Sequence, residues 1–455
     1  MTEVMIAAPA SGGGKTVLAC ALLAALKRRG CGPCAFKCGP DYIDPMFHRS
    51  VLGVESHNLD LFLAGEAAVR ELYARYSGGH EAAVLEAAMG FYDGLGGSTD
   101  RASGWHTSDA LDVPVLLALR PKGASLTLAA QVNGLRAFRR NSHIAGIFLT
   151  DCSPMLAGSL TPMLERETGL PVVGSLPHME EAVLESRHLG LQTAGEIADL
   201  TARMDRVARQ LELGMDWERF FSLFGGRPAR EAASVRPSGR RVPLAAARDE
   251  AFCFTYAETL DALRDAGAEL HFFSPLRDSA LPEGVCGLYL PGGYPELYAP
   301  QLAENAGMRE AVREAVCRGL PTVAECGGFL YLGRTLQGTD GQLYPMSGVL
   351  PGEAAKKERL VRFGYAELTA AADSLLLRRG DSLPVHEFHY WDSSENGGDL
   401  TAVKPLTGRS WRCCFAGERL YAGFPHLYFA GRPALTERFV QAAERYQKAR
   451  DGQGV

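Results

Sequence analysis

The chain has 455 residues, too many for one ordinary hydrophobic core, so two domains of about 200 residues each are expected. A formal charge of −6 with a pI near 6.0 lacks the basic footprint of a nucleic-acid binder. The longest apolar run, 17–26, is far shorter than a bilayer span of roughly 20 residues and no signal peptide precedes it, so a cytoplasmic protein with no membrane role is expected.

In chain order, apolar strand-like runs at 4–8, 34–37, 83–86, 113–119, 144–149 and 172–176 alternate with helical spacing at 16–29, 67–76 and 125–138. That alternation predicts a doubly wound, largely parallel α/β sheet, whose ligands gather at the carboxyl ends of the strands. Residues 199–240 read as a helical linker ending in a stretch rich in Gly, Pro, Ser and Arg. A second alternating block has strands at 242–247, 269–273, 287–290 and 322–324. The expected domains are therefore 1–198 and 241–450.

The first strand runs into Ser11-Gly12-Gly13-Gly14-Lys15-Thr16 and then a helix. Backbone N–H groups of such a loop cradle phosphate oxygens, Lys15 reaches the terminal phosphates, and the Thr16 hydroxyl suits Mg²⁺. The Walker pattern is incomplete, since Pro9 stands where it has glycine. Asp41 and Asp44 lie just beyond the second strand, Glu86 ends the third and Asp93 follows in its loop, so three strand ends should converge acids on the phosphate loop. One of these acids could hold Mg²⁺ while others orient a carboxylate substrate or assist proton transfer; solvated loop acids are the plainer alternative.

Cys31-Gly32-Pro33-Cys34 has the spelling of a redox motif, but it follows a helix instead of opening one, which favours a turn with buried small thiols. In the second block, Ala324-Glu325-Cys326-Gly327-Gly328 joins a strand to a short apolar helix. The glycines allow a sharp elbow that exposes the Cys326 sulfur at a helix N-terminus, as a thiol nucleophile requires. Gly292 and Gly293, after the strand at 287–290, offer N–H groups for an oxyanion, and His426 is the candidate base. His386-Glu387-Phe388-His389 is one residue short of a helical zinc motif, and on a strand its histidines would diverge.

These residues resemble the cobyrinate a,c-diamide synthases, within the wider group of cobalamin-pathway amidotransferases. The resemblance rests on residues 36–48, Asn58-Leu59-Asp60, Met89-Gly90-Phe91-Tyr92-Asp93-Gly94, Arg187-His188-Leu189-Gly190-Leu191, residues 247–254, 292–296 and 324–328. It implies a P-loop N-terminal domain similar to dethiobiotin synthetase and a C-terminal class I glutamine amidotransferase domain of flavodoxin-like fold. It also implies that Cys326 with His426 releases ammonia from L-glutamine, and that ATP activates a corrinoid carboxylate as an acyl phosphate. By the same resemblance, Lys15 and Thr16 bind ATP and Mg²⁺, with Thr16, Asp41 and Glu86 as the metal-binding set. Asp41, Asp44, Glu86 and Asp93 would share substrate activation and metal binding. Hydrogenobyrinate or nickel-sirohydrochlorin as substrate, a nucleotide-binding paralogue that amidates nothing, and a homodimeric assembly all stay open.

The chain departs from the family at two places and from the wider class I pattern at a third. Arg120-Pro121-Lys122 replaces an Asp-Ala pair, and Thr150-Asp151 replaces Asn-Arg where related proteins contact the base. Tyr428 stands where the class I pattern has an acid two residues beyond the histidine, an acid that members of the resembled family commonly lack, which implies a Cys–His dyad.

Overall fold

The computed structural model describes residues 1–182, 194–232 and 238–452, so the signature at 187–191 and part of the 199–240 stretch lie outside the described residues. The chain forms two compact units, Met1–Ala233 and Ser234–Val455.

The first unit is built on seven strands: β1 (Thr2–Ala7), β2 (Pro33–Cys38), β3 (Ser56–Leu59), β4 (Ala82–Glu86), β5 (Val115–Leu119), β6 (Ile144–Leu149) and β7 (Val172–Ser175). Their spatial order is β3-β2-β4-β1-β5-β6-β7, with every pair parallel. Strands buried on both faces need continuous apolar runs, and β1, β4 and β5 supply them. β3, with the sequence SHNL, carries no such signal and was not expected.

The expected helical linker differs from what the chain does. Helices Ala194–Gly214 and Trp217–Phe224 bury Met204, Val207, Ala208, Leu211, Phe220 and Phe224 in the same core as helix Lys15–Arg28. An amphipathic helix must cover its apolar stripe, and here the first sheet's helical layer covers it. Residues beyond these helices bind the first unit too. Glu3, fully buried on β1, accepts from Tyr73 Oη at 2.8 Å and is paired with Arg227 Nε at 2.8 Å and Arg230 Nε at 2.9 Å. Met1 and Arg227 also exchange backbone hydrogen bonds of 2.6 and 3.0 Å.

The second unit has a main sheet of β8 (Val242–Ala247), β9 (Ala268–Phe273), β10 (Gly287–Leu290), β11 (Thr322–Glu325), β20 (Phe415–Ala416) and β21 (Leu420–Gly423), in the order β20-β21-β11-β10-β8-β9. All its pairs are parallel except β20 with β21 at the edge. Between β11 and β20 the chain makes two further four-stranded sheets. One orders β13 (Leu343–Pro345), β12 (Thr335–Gln337), β14 (Glu353–Lys356) and β17 (Trp391–Ser393). The other orders β16 (Ser382–His389), β15 (Arg362–Ala370), β18 (Leu400–Val403) and β19 (Ser410–Cys413) and is antiparallel throughout. Among the described residues no helix is long and apolar enough to cross a membrane.

Candidate active sites

In the first unit, strand register assembles the site. Ile6 of β1 and Lys37 of β2 both pair with Glu86 of β4, so these three positions sit side by side at the carboxyl end of the sheet. The phosphate loop leaves β1 there and opens helix Lys15–Arg28, whose first residue follows Gly14 at φ 83°. A side chain at Gly14 would be strained, and its Cβ would stand 2.9 Å from Thr150 Cβ.

The Thr16 hydroxyl donates to Glu86 Oε1 at 2.6 Å. Lys37 Nζ lies 2.7 Å from the same oxygen and 2.6 Å from Asp44 Oδ2. Lys15 Nζ donates to the carbonyls of Ala10 and Met89, which tie the loops after β1 and β4 together. Asp41 Oδ1 caps the turn by accepting from the N–H groups of Ile43 and Asp44, at 2.8 and 3.2 Å. Asn58 at the end of β3 braces that turn from the other side, donating to the Asp41 carbonyl at 2.6 Å. Asp93 Oδ2 accepts from the N–H of Gly90 at 3.0 Å, and the residue is exposed. Ser11 and Gly12 are exposed at the loop tip. Three strand ends thus meet as expected, though the third in sequence is fourth in the chain because β3 intervenes.

Lys37 was not foreseen as part of this site. A lysine at the end of a strand ordinarily carries its charge to water, but here it is buried between two carboxylates. Burial opposes its charge, yet Glu86, Asp44 and Asp41 override that and hold its pKa well above the ordinary lysine value. Lys15 goes the other way: burial lowers its pKa, only partly opposed by Glu86. Burial also raises Glu86 and Asp41, each against the pull of Lys37.

The donor set fits Mg²⁺. Glu86 Oε2 is buried without a hydrogen-bond partner, Thr16 stands on the other oxygen, and both are hard oxygen ligands. No three His, Cys, Asp or Glu side chains converge to cage a metal among the described residues. Magnesium at nucleotide sites characteristically takes one or two protein oxygens and completes its shell with phosphate and water.

The departures from the family pattern have structural roles. Thr150, buried after β6, donates its hydroxyl to the Gly13 carbonyl at 2.9 Å and so braces the phosphate loop. Arg120 pairs with Asp151, whose other oxygen contacts His178 Nδ1 at 2.8 Å. The Cys31–Cys34 motif is no helix opening: Cys34 lies inside β2, where burial pushes its thiol up to about 12.

In the second unit, β11 ends at Glu325 and Cys326 turns the chain into helix Gly327–Leu332. Cys326 adopts φ 47°, ψ −102°, a conformation costing a non-glycine residue about 1–3 kcal/mol, and its N–H is anchored on the Gly423 carbonyl at 2.8 Å. Residues 292 and 293 pack directly on this elbow. A Cβ at Gly327 would stand 3.0 Å from the Gly293 nitrogen, and one at Gly292 would stand 2.6 Å from His426 Cε1.

His426 and Cys326 are both buried, and they interact electrostatically. Burial disfavours the charge of His426, but Cys326 and Glu325 outweigh this and push its pKa up to about 10. Strand β16 holds the backbone in place: His426 N–H donates to the His386 carbonyl at 2.8 Å. Position 428 carries no acid. Glu325 Oε2 stands 3.7 Å from His426 Nδ1, while Tyr428 packs edge-on against Tyr256. His386 and His389 lie on strand β16, and His389 stacks on Phe424 at 3.7 Å instead of joining a metal site.

Comparison with known proteins agrees with this division. Residues 4–191 match the "CobQ/CobB/MinD/ParA nucleotide binding domain" and residues 243–434 the "CobB/CobQ-like glutamine amidotransferase domain". A protein of Synechococcus sp. named cobyrinate a,c-diamide synthase is 38% identical, over 97% of this chain and 98% of its own. Proteins of the same name from Clostridium acetobutylicum and Gloeobacter violaceus are 35% and 37% identical, covering 97% and 96% of this chain and 100% and 96% of theirs. With a phosphate loop in one unit, a cysteine elbow in the other and relatives that span both, the chain belongs to the cobyrinate a,c-diamide synthase family.

Proposed function

We propose that this chain amidates the a and c carboxylates of cobyrinate, using ATP for activation and L-glutamine as the nitrogen donor. One observation carries the reading: relatives named for that reaction match across both units at once, so neither site is left without a counterpart.

A carboxylate is a poor electrophile, and amide formation needs a better leaving group than oxide. The substrate carboxylate oxygen attacks the γ-phosphorus of ATP, ADP departs, and an acyl phosphate results. Ammonia then adds to the acyl carbon and inorganic phosphate leaves. Ser11 to Thr16 would cradle the phosphates with backbone N–H groups, and Lys15 would neutralise the charge that spreads over the transferring group. Thr16 and Glu86, with Asp41 nearby, would hold Mg²⁺, which supplies charge neutralisation at the phosphates. Lys37, fixed between Glu86 and Asp44, keeps one positive charge at the junction of the strand ends. Asp44 and Asp93 would orient the substrate carboxyl and the incoming ammonia.

In the second unit Cys326 attacks the amide carbon of glutamine, Gly292 and Gly293 donate to the oxyanion, and His426 delivers the proton with which ammonia leaves. Water then frees glutamate from the thioester.

The test supplies cobyrinate, hydrogenobyrinate or nickel-sirohydrochlorin with ATP, Mg²⁺ and glutamine, and weighs the products. Conversion of two carboxyls to amides in cobyrinate is expected, each shifting the mass by one oxygen exchanged for NH. No mass change with any of the three would overturn the proposal, as would ATP turnover without glutamine hydrolysis. Cys326→Ala should abolish glutamine use and retain amidation from ammonium salts, whereas Lys15→Ala should lose amidation from either nitrogen source.

A further inference from the structure

We propose that Glu325, the residue immediately before the nucleophile, is the carboxylate that orients His426, in place of an acid beyond the histidine. The inference rests on the reading of Cys326 as the nucleophile that attacks glutamine.

The geometry follows from the strand. Glu325 ends β11 and pairs in register with Gly423 of β21, the strand that leads to His426. A side chain at a strand's last residue and one on the following elbow leave the backbone in different directions. Glu325 therefore reaches beneath the histidine while Cys326 is presented at the helix start. Its Oε2 lies 3.7 Å from His426 Nδ1, an ion-pair distance longer than a hydrogen bond, and accepts from the N–H of Leu427 at 3.1 Å, so one carboxylate grips the residue after the histidine and faces the ring. With Nδ1 turned to the carboxylate, the other ring nitrogen is left for the thiol. An orienting acid fixes the tautomer of the base and stabilises the imidazolium that forms.

Glu325 is 1% exposed, and a buried carboxylate needs a function or a partner. The titratable groups around the pair are few. Cys326 and His386 face His426, and Tyr289 and Tyr421 face Glu325 from β10 and β21. Among these groups His426 is the one paired with the carboxylate.

Glu325→Gln tests this cleanly, because the amide oxygen still accepts from Leu427 N–H while the charge is removed. Two readouts apply: steady-state glutamate release from L-glutamine, and the pH dependence of Cys326 alkylation by iodoacetamide, followed on the Cys326 peptide by mass spectrometry. A positioning role predicts that kcat for glutamate release falls about 100-fold or more with KM little changed. It also predicts that the alkylation midpoint moves up by about one to three pH units, because loss of the anion weakens the imidazolium that supports the thiolate. Glu325→Asp should lie between parent and Gln in both. An unshifted alkylation profile in both variants would overturn the proposal, whatever happens to thermal stability. Should Gln unfold the protein, the Asp variant decides by the same profile. The failure of the underlying reading looks different: Cys326→Ala would then still release glutamate, which no Glu325 variant bears on.

Discussion

Gly292→Ala is a demanding perturbation of the thiol site, because it deletes no donor and adds one methyl. That methyl would stand 2.6 Å from His426 Cε1 and 3.3 Å from Nδ1. Carbon pairs rest near 3.5–4.0 Å, so the ring must withdraw by roughly 1 Å. The backbone cannot follow, since the His426 N–H is held on the His386 carbonyl and Leu427 N–H on Glu325. The imidazole must therefore leave its present position. A misplacement of about 1 Å at a reacting centre costs on the order of 100-fold in rate, equivalent to about 2.7 kcal/mol. The assay is glutamate release at saturating glutamine, with ammonium-driven amidation measured on the same preparation to show that the first unit is intact. A Gly292→Ala protein that releases glutamate within threefold of the parent would refute the argument, because the close approach of residues 292 and 426 would then carry no catalytic consequence.

Other outcomes follow from the same geometry. Lys37→Met should lower stability by about 3 kcal/mol or more, since it strands buried Glu86, and calorimetry of Lys37→Met/Glu86→Gln should recover much of that loss. Gly14→Ala, at φ 83° and against Thr150, should remove the rise in melting temperature that MgATP gives the parent, as read by differential scanning fluorimetry. Thr150→Ala frees the Gly13 carbonyl from its hydroxyl partner and should weaken nucleotide affinity several-fold in a binding titration, with the second unit's alkylation chemistry unchanged.

The legible parts of this protein were those where chain direction and residue type coincide. The strand-to-helix turns at Lys15 and Cys326 announce themselves through glycines, and the parallel strands through unbroken apolar runs. Lys37 was hidden because its meaning lies in register: only the pairing of β2 with β4 places it on Glu86. Glu325 is hidden for a related reason, since the class I pattern places its acid after the histidine, whereas the register of β11 with β21 brings one from before the cysteine. The stretch between β11 and β20 folds into short antiparallel strands whose partners are decided across the sheet, not locally, so no periodicity marked them. The helices after residue 193 were visible as helices, but an apolar stripe does not say which core it will cover.

The burial of Glu3 bears on when this protein can finish folding. Its charge is met by Arg227 and Arg230, more than 220 positions downstream, through ion pairs of 2.8 and 2.9 Å. A ribosome adds about 5–20 residues per second, so β1 waits on the order of ten seconds or more after its own synthesis before those guanidiniums exist. During that interval the Glu3 carboxylate lacks its two guanidinium partners, and the cost of burying it without them favours leaving the strand open.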